Sequence, residues 1–241
     1  MKDHLLDLVG HTLELGCINL VKIRGDKEKT SIMAMAEDGM SVVIQGEFNG
    51  PVAEFVGTFG MPNLSKLKIL LNLEEYRENA QLTITRKSDG APDGINFENA
   101  AGDFCNSYRF MSENLVKGAM KDAQFKGANW HVEFEPTVAA IQRLKWQAAA
   151  NAEENLFQVK TDKGDLKFLF GDHSNHAGNF VFHPGIRGSF KRTWSYPVKT
   201  VISILDLVGD KTFRISDDGV SQITVDSGLA VYNYIICAQS K

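Results

Sequence analysis

Apolar and polar positions alternate along most of the chain, which predicts short strands interrupted by a few helices. From Gly16 onward the period is two. CINLVKI (17–23) and TSIMAMA (30–36) flank a loop, and Glu37-Asp38-Gly39 turns the second into SVVIQGEF (41–48). PVAEFVGTF (51–59) reads as another strand, stopped by Gly60-Met61-Pro62. The period then becomes helical. In NLSKLKILLNL (63–73), Leu64, Leu67, Leu70 and Leu71 share one face, with Asn63 or Ser65 placed to cap the start. AQLTITR (80–86), GINFEN (94–99) and DFCNSYRF (103–110) follow as strands.

The second half repeats this order. WHVEFE (130–135) is a strand, and PTVAAIQRLKWQAAANA (136–152) is a helix opened by Pro136, with Val138, Ile141, Leu144 and Ala148 expected to face inward. LFQVKT (156–161) and DLKFLFG (165–171) are joined by a hairpin at Asp162-Lys163-Gly164; NFVFH (179–183) and GSFKRTWS (188–195) are further strands. A helix over YPVKTVISILDLVG (196–209) is entered through Pro197 and closed by Gly209. TFRISDDG, VSQITVDSG and AVYNYIICA end the chain as strands. With Asp3–Leu15 as an opening helix, each half holds two helices, each leading into a strand meander. The expectation is an α+β chain of two similar domains, 1–112 and 129–241, joined by a polar connector, 113–128, that is partly helical at most.

Composition agrees. The 241 residues, 43% hydrophobic and 23% charged, suffice for two modest cores. No apolar run suggests a leader or an anchor, and three cysteines without a CxxC argue against a disulfide framework, so a reducing intracellular compartment is expected. The net charge of −4 counts at first against a phosphate-bearing partner. Its distribution changes that. Residues 1–112 sum to −5, 113–128 to +1 and 129–241 to zero, and much of the acid falls in turns. The helices at 63–73 and 136–152 carry Lys66, Lys68, Arg143 and Lys145 with no acid, and Lys199 leads the exposed side of the last helix, partly offset by Asp206. Spaced cations without internal acids fit two readings equally, a solvated face with few charges or non-specific phosphate contact.

Other chemistries are thinner. Asp172, His173, His176 and His183 lie close together, but their spacing does not match a helical metal pair and the context GDHSNHAGN is loop-like. A metal-dependent hydrolase using His173, His176 and His183 stands as one alternative, and a two-domain structural or interaction protein that never meets DNA as another. No glycine-rich nucleotide loop or nucleophile elbow occurs, and no cofactor or metal is expected. Trp130, Trp146 and Trp194 are of the type that stacks bases in a single-strand binder, but Trp130 and Trp194 are expected in cores, while Trp146 falls nearer the exposed side of its helix, available instead to a subunit or domain junction.

The segments VAEFVGTFGMPNLSKLKILLNLEEYRENAQLTI and KTVISILDLVGDKTFRISDDGVSQITVDSGLAVYNYIICA, set in two domains each built from two helix-plus-meander units, resemble the DNA polymerase sliding clamps. Length and detail resemble most closely the trimeric processivity clamps of T-even-type bacteriophages. The resemblance covers nearly the whole chain as a pattern of elements and implies the DNA clamp fold. It further implies a non-enzymatic homotrimeric ring around duplex DNA, tethering a DNA polymerase, opened by a clamp loader, with late transcription as a further duty. Such a clamp works in the cytoplasm, that of the infected bacterial host if phage-encoded. On this sequence it places Lys66, Lys68, Arg143, Lys145 and Lys199 toward DNA. It pairs the strand 103–110 with a neighbour's strand near 178–183, which makes Phe104, Tyr108, Phe110, Phe180 and Phe182 the subunit interface. Leu115, Val116, Met120 and Phe125 would form the groove for partner peptides, although the connector lacks the proline-rich form of the look-alikes.

Overall fold

A computed structural model, describing residues 1–38, 41–120, 125–172 and 176–239, divides the strands and helices between two units. The first, built from 1–38, 43–120 and 227–232, opens with α1 (Lys2–Thr12), continued by a 3-10 turn over Leu13–Leu15. Next come β1 (Leu20–Gly25), β2 (Thr30–Met35), β3 (Val43–Phe48), β4 (Gly57–Pro62) and α2 (Leu64–Asn72). β5 (Gln81–Arg86), β6 (Pro92–Glu98), β7 (Cys105–Arg109) and α3 (Glu113–Ala119) complete it. Its strands run β4-β1-β2-β3 and β5-β6-β7, each pair antiparallel.

The second unit contains β8 (Val132–Phe134), α4 (Val138–Ala150), β9 (Leu156–Asp162), β10 (Asp165–Gly171), β11 (Ala177–His183) and β12 (Trp194–Pro197). α5 (Val198–Asp206), β13 (Asp210–Ile215), β14 (Val220–Asp226) and β15 (Ala230–Cys237) follow, the first residues of β15 belonging to the first unit. Here the orders are β12-β9-β10-β11 and β8-β13-β14-β15. The fourth-first-second-third meander thus occurs twice, as does the three-strand run behind the second helix, to which β8 is added. The duplication is topological.

Alternation explains the cores. Val21, Ile23, Ile32, Ala34 and Ile44 point inward from β1 to β3, and α2 buries Leu64, Leu67, Leu70 and Leu71 as its spacing predicts. Each burial of a Val, Ile or Leu side chain among them stabilises the fold by about 1.5–3 kcal/mol. Asn63 sits in the left-handed region (φ 52°) and its side chain accepts from the Lys66 amide at 3.3 Å, capping α2. The hairpin between β9 and β10 needs positive φ at both central residues, supplied by Lys163 (54°) and Gly164 (84°).

Several boundaries depart from the sequence reading. A 3-10 turn over Ala53–Phe55 replaces the start of the expected 51–59 strand, and β4 instead runs through Gly60 and Met61 to Pro62. Gly60 is no stop signal: a Cβ there would lie 2.9 Å from a methyl of Val116, so glycine admits α3 against the strand. Pro62 ends a sheet-edge strand, where a missing amide is tolerated. The expected strand 188–195 survives only from Trp194, because the amides of Lys191 and Arg192 donate to Asp217 Oδ1 at 3.1 Å each and not to a ladder. Both proline-led helices begin later than expected. Thr137 caps α4, its Oγ1 accepting from the Ala140 amide at 3.1 Å, and α5 starts after Pro197, which holds Tyr196 extended within β12. α4 is also rotated relative to expectation: Ala140 and Leu144 are buried, Ile141 and Ala148 are half-buried, and Val138 is exposed in the first turn.

Candidate nucleic-acid interface

α2 packs beside α1 and turns its leucines inward, which leaves Lys66 and Lys68 exposed. Lys66 has no ion-pair partner among the described residues. Lys68 pairs with Glu14 in the turn after α1. α1 adds Asp3 and Asp7, so this helix layer carries three lysines (2, 66 and 68) against three acids (3, 7 and 14) and is neutral overall.

In the second unit α4 packs beside α5. Arg143 is exposed, its guanidinium 5.3 Å from the Phe180 ring centre and donating to the Val181 carbonyl at 3.2 Å, so its charge is displayed from a fixed place over β11. Lys145 pairs with Asp206 across the two helices. Lys199 is exposed and has no ion-pair partner among the described residues. The helices of this layer hold Arg143, Lys145 and Lys199 against Asp206, a balance of +2; counted over the helices only, without the turn that holds Glu14, α1 and α2 come to +1. It also exposes Trp146 by 63%.

The first unit hides a polar cluster that the hydrophobic pattern does not announce. Tyr232 Oη donates to Asp7 Oδ2 at 2.7 Å, the His11 ring stacks on Tyr232 with centres 4.6 Å apart, and His11 Nδ1 lies 3.3 Å from Asp7 Oδ1. Burial pushes the Asp7 carboxyl up, but hydrogen bonds from His11 and Tyr232 and the nearby imidazole outweigh it and hold the pKa below the ordinary 3.8. The i,i+4 spacing of Asp7 and His11 was the available signal; Tyr232 was out of its reach.

β7 and β11, the strands expected to meet a neighbour, both lie at sheet edges. Their side chains divide differently from expectation. Phe104 is 39% exposed, whereas Tyr108 is buried with its hydroxyl donating to the Pro62 carbonyl, and Phe110 is half-buried, stacked on Phe59 at 4.3 Å. Phe180 and Phe182 are buried, Phe182 stacked on Phe168 at 4.2 Å. Tyr108, Phe180 and Phe182 are core residues of their own units, which leaves Phe104 the most exposed of the five. Among the groove candidates, Leu115 is 64% exposed, but Val116 and Met120 are buried where α3 docks on the first unit, and Phe125 is half-buried 5.9 Å from Trp130.

His173 lies outside the described residues. His176 is exposed, His183 is half-buried with its ring 5.1 Å from Phe134, and the described residues contain no group of three metal-ligating side chains. Trp130 and Trp194 are half-buried. Sequence reasoning missed Glu14 and Asp206 as partners of Lys68 and Lys145, because both pairs join helices distant along the chain.

The sequence matches no protein-family model and no curated protein. Its fold does match solved structures. A PCNA chain from Thermococcus kodakaraensis superposes with a TM-score of 0.69 at 12% identity, covering 99% of this chain and 97% of that one. PCNA from A. fulgidus, in a structure with the C-terminal region of FEN-1 bound, gives 0.72 at 10% identity over 100% and 97%. The chain therefore has the α+β DNA clamp fold.

Proposed function

We propose that the chain is a sliding clamp, a ring-forming protein that encircles duplex DNA and tethers a DNA polymerase, working by binding and not by catalysis. The observation that carries this reading is the duplicated helix-and-meander order, which matches PCNA along almost the full length of both chains. Residues 1–112 and 129–241 act as the two clamp domains, with 113–128 the connector between them. Three chains close head to tail, the backbone edge of β7 pairing with that of β11 of the next chain, which also removes two exposed edges. The phage-type identity, the clamp loader, a late-transcription role and a cytoplasmic site in an infected host belong to the same reading. No helix among the described residues is long and apolar enough to cross a membrane.

Topology holds the DNA, so the contacts must be weak: every firm phosphate contact would add friction to sliding. Lys66, Lys68, Arg143, Lys145 and Lys199 face the duplex in this reading. Lys66 and Lys199, with no ion-pair partner among the described residues, reach phosphate most readily. The bound FEN-1 tail on A. fulgidus PCNA supports a matching mode of partner capture here, with Leu115 as the open apolar contact. Light scattering is expected to return the mass of three chains, and the loaded protein is expected to lengthen polymerase runs. A monomer at micromolar concentration that leaves run length unchanged contradicts the proposal.

A further inference from the structure

Trp146 is the most exposed aromatic side chain among the described residues, at 63% against 39% for Phe104. The fold puts it there: α4 buries Ala140 and Leu144, and a residue two positions past Leu144 lies about 200° around the helix from it. No ring contact or hydrogen bond holds the indole among the described residues. Its helical neighbours are Gln142 and Arg143 one turn before and Ala149 and Ala150 one turn after, all exposed, so the alanines leave its ring face open. α4 carries no acid, and its layer has a balance of +2. An open indole beside cations on an acid-free helix is the combination that binds nucleic-acid strands, the cations drawing phosphate and the ring accepting a base.

We propose that Trp146, with Arg143 one turn before it, forms a stacking platform for unpaired nucleotides. Duplex bases are already stacked on one another and cannot take the indole, whereas a single strand can turn a base onto it. The inference rests on the clamp reading, and within it α4 holds the single-stranded template beside a primer end while the remaining cations track duplex.

The test is tryptophan emission during titration of the intact protein with oligothymidylate, and in parallel with a duplex of the same length. Oligothymidylate is expected to quench, and the duplex to leave emission nearly unchanged. Trp146→Leu should abolish the quenching and weaken oligothymidylate binding about tenfold, within the range for losing one base–aromatic stack. Added salt should weaken binding to both. Absent quenching, equal quenching by the duplex, or quenching that persists in Trp146→Leu through Trp130 or Trp194 overturns the proposal. A change of oligomeric mass in Trp146→Leu also overturns it, since the indole would then belong to a contact between copies. A clamp that lengthens polymerase runs with Trp146 unquenched loses only this inference. Strand-specific quenching in a protein without clamp activity keeps the platform and removes the clamp.

Discussion

In each unit a lysine ties the two helices together, Lys68 to Glu14 in the first and Lys145 to Asp206 in the second, yet the surfaces around these ties differ. The α1 and α2 layer balances three lysines with three acids and sinks Asp7 and His11 into a cluster with Tyr232. The α4 and α5 layer keeps an excess of two positive charges and shows an indole to solvent. A duplicated backbone thus carries two surfaces: one layer offsets its lysines and buries a polar cluster, while the other keeps uncompensated positive charge and an exposed indole. Counting cations on α2 and α4 alone conceals this, because the acids that pair with them, Glu14 and Asp206, lie in the turn after α1 and on α5.

The cores should break alike where the surfaces do not. Leu67→Ala in α2 and Leu144→Ala in α4, both fully buried, are each expected to cost about 2–5 kcal/mol in urea unfolding. A much smaller cost at Leu144 would mean that α4 is held more loosely than α2. The buried cluster sharpens the contrast next. Asp7→Asn removes the carboxylate that accepts from Tyr232 and should cost about 1–3 kcal/mol near neutral pH. Because the Asp7 pKa is lowered in the fold, its contribution is present above the unfolded value of 3.8 and fades as pH falls through the folded value. Thermal melts of the two proteins should therefore converge in acid, and a gap that stays constant contradicts the cluster's electrostatic role.

Charge gives the third contrast. Replacing Arg143 and Lys199 together by alanine should reduce the salt slope of duplex binding by about 1.8, at about 0.9 for each phosphate left unneutralised. The pair Lys66 and Lys68 should reduce it by only about 0.9, since Lys68 is engaged with Glu14. Equal reductions would show that Glu14 does not restrain the first layer. The smallest effect concerns the caps. Thr137→Ala should cost about 1 kcal/mol by removing the acceptor for the Ala140 amide. Asn63→Ala should cost somewhat more and Asn63→Gly less, because glycine tolerates the positive φ at that position.

Much of the fold was legible because its signals are local. Four leucines at helical spacing fixed the buried face of α2, and turn residues located the β9–β10 hairpin. The buried face of α4 is poorly legible because an alanine-rich helix offers little contrast between faces: Val138 is apolar yet exposed in the first turn, while Ala140 is small and buried. β4 was cut short at Gly60 because the reason for that glycine, the approach of Val116, comes from residues far along the chain. At the candidate site the outward lysines and Arg143 could be read from helix phase, but their partners could not. Tyr108, Phe180 and Phe182 illustrate the same limit, since a strand can present its backbone edge outward while its aromatic rings serve its own core.

The central claim is that the protein holds DNA by enclosing it, and retention on circular against linear DNA tests it most directly. Loaded onto a nicked circle by a clamp loader with ATP, the protein should co-elute with the DNA through gel filtration in moderate salt and be released when a restriction enzyme opens the circle. Equal retention before and after cutting, or none on the intact circle, would contradict a topological clamp.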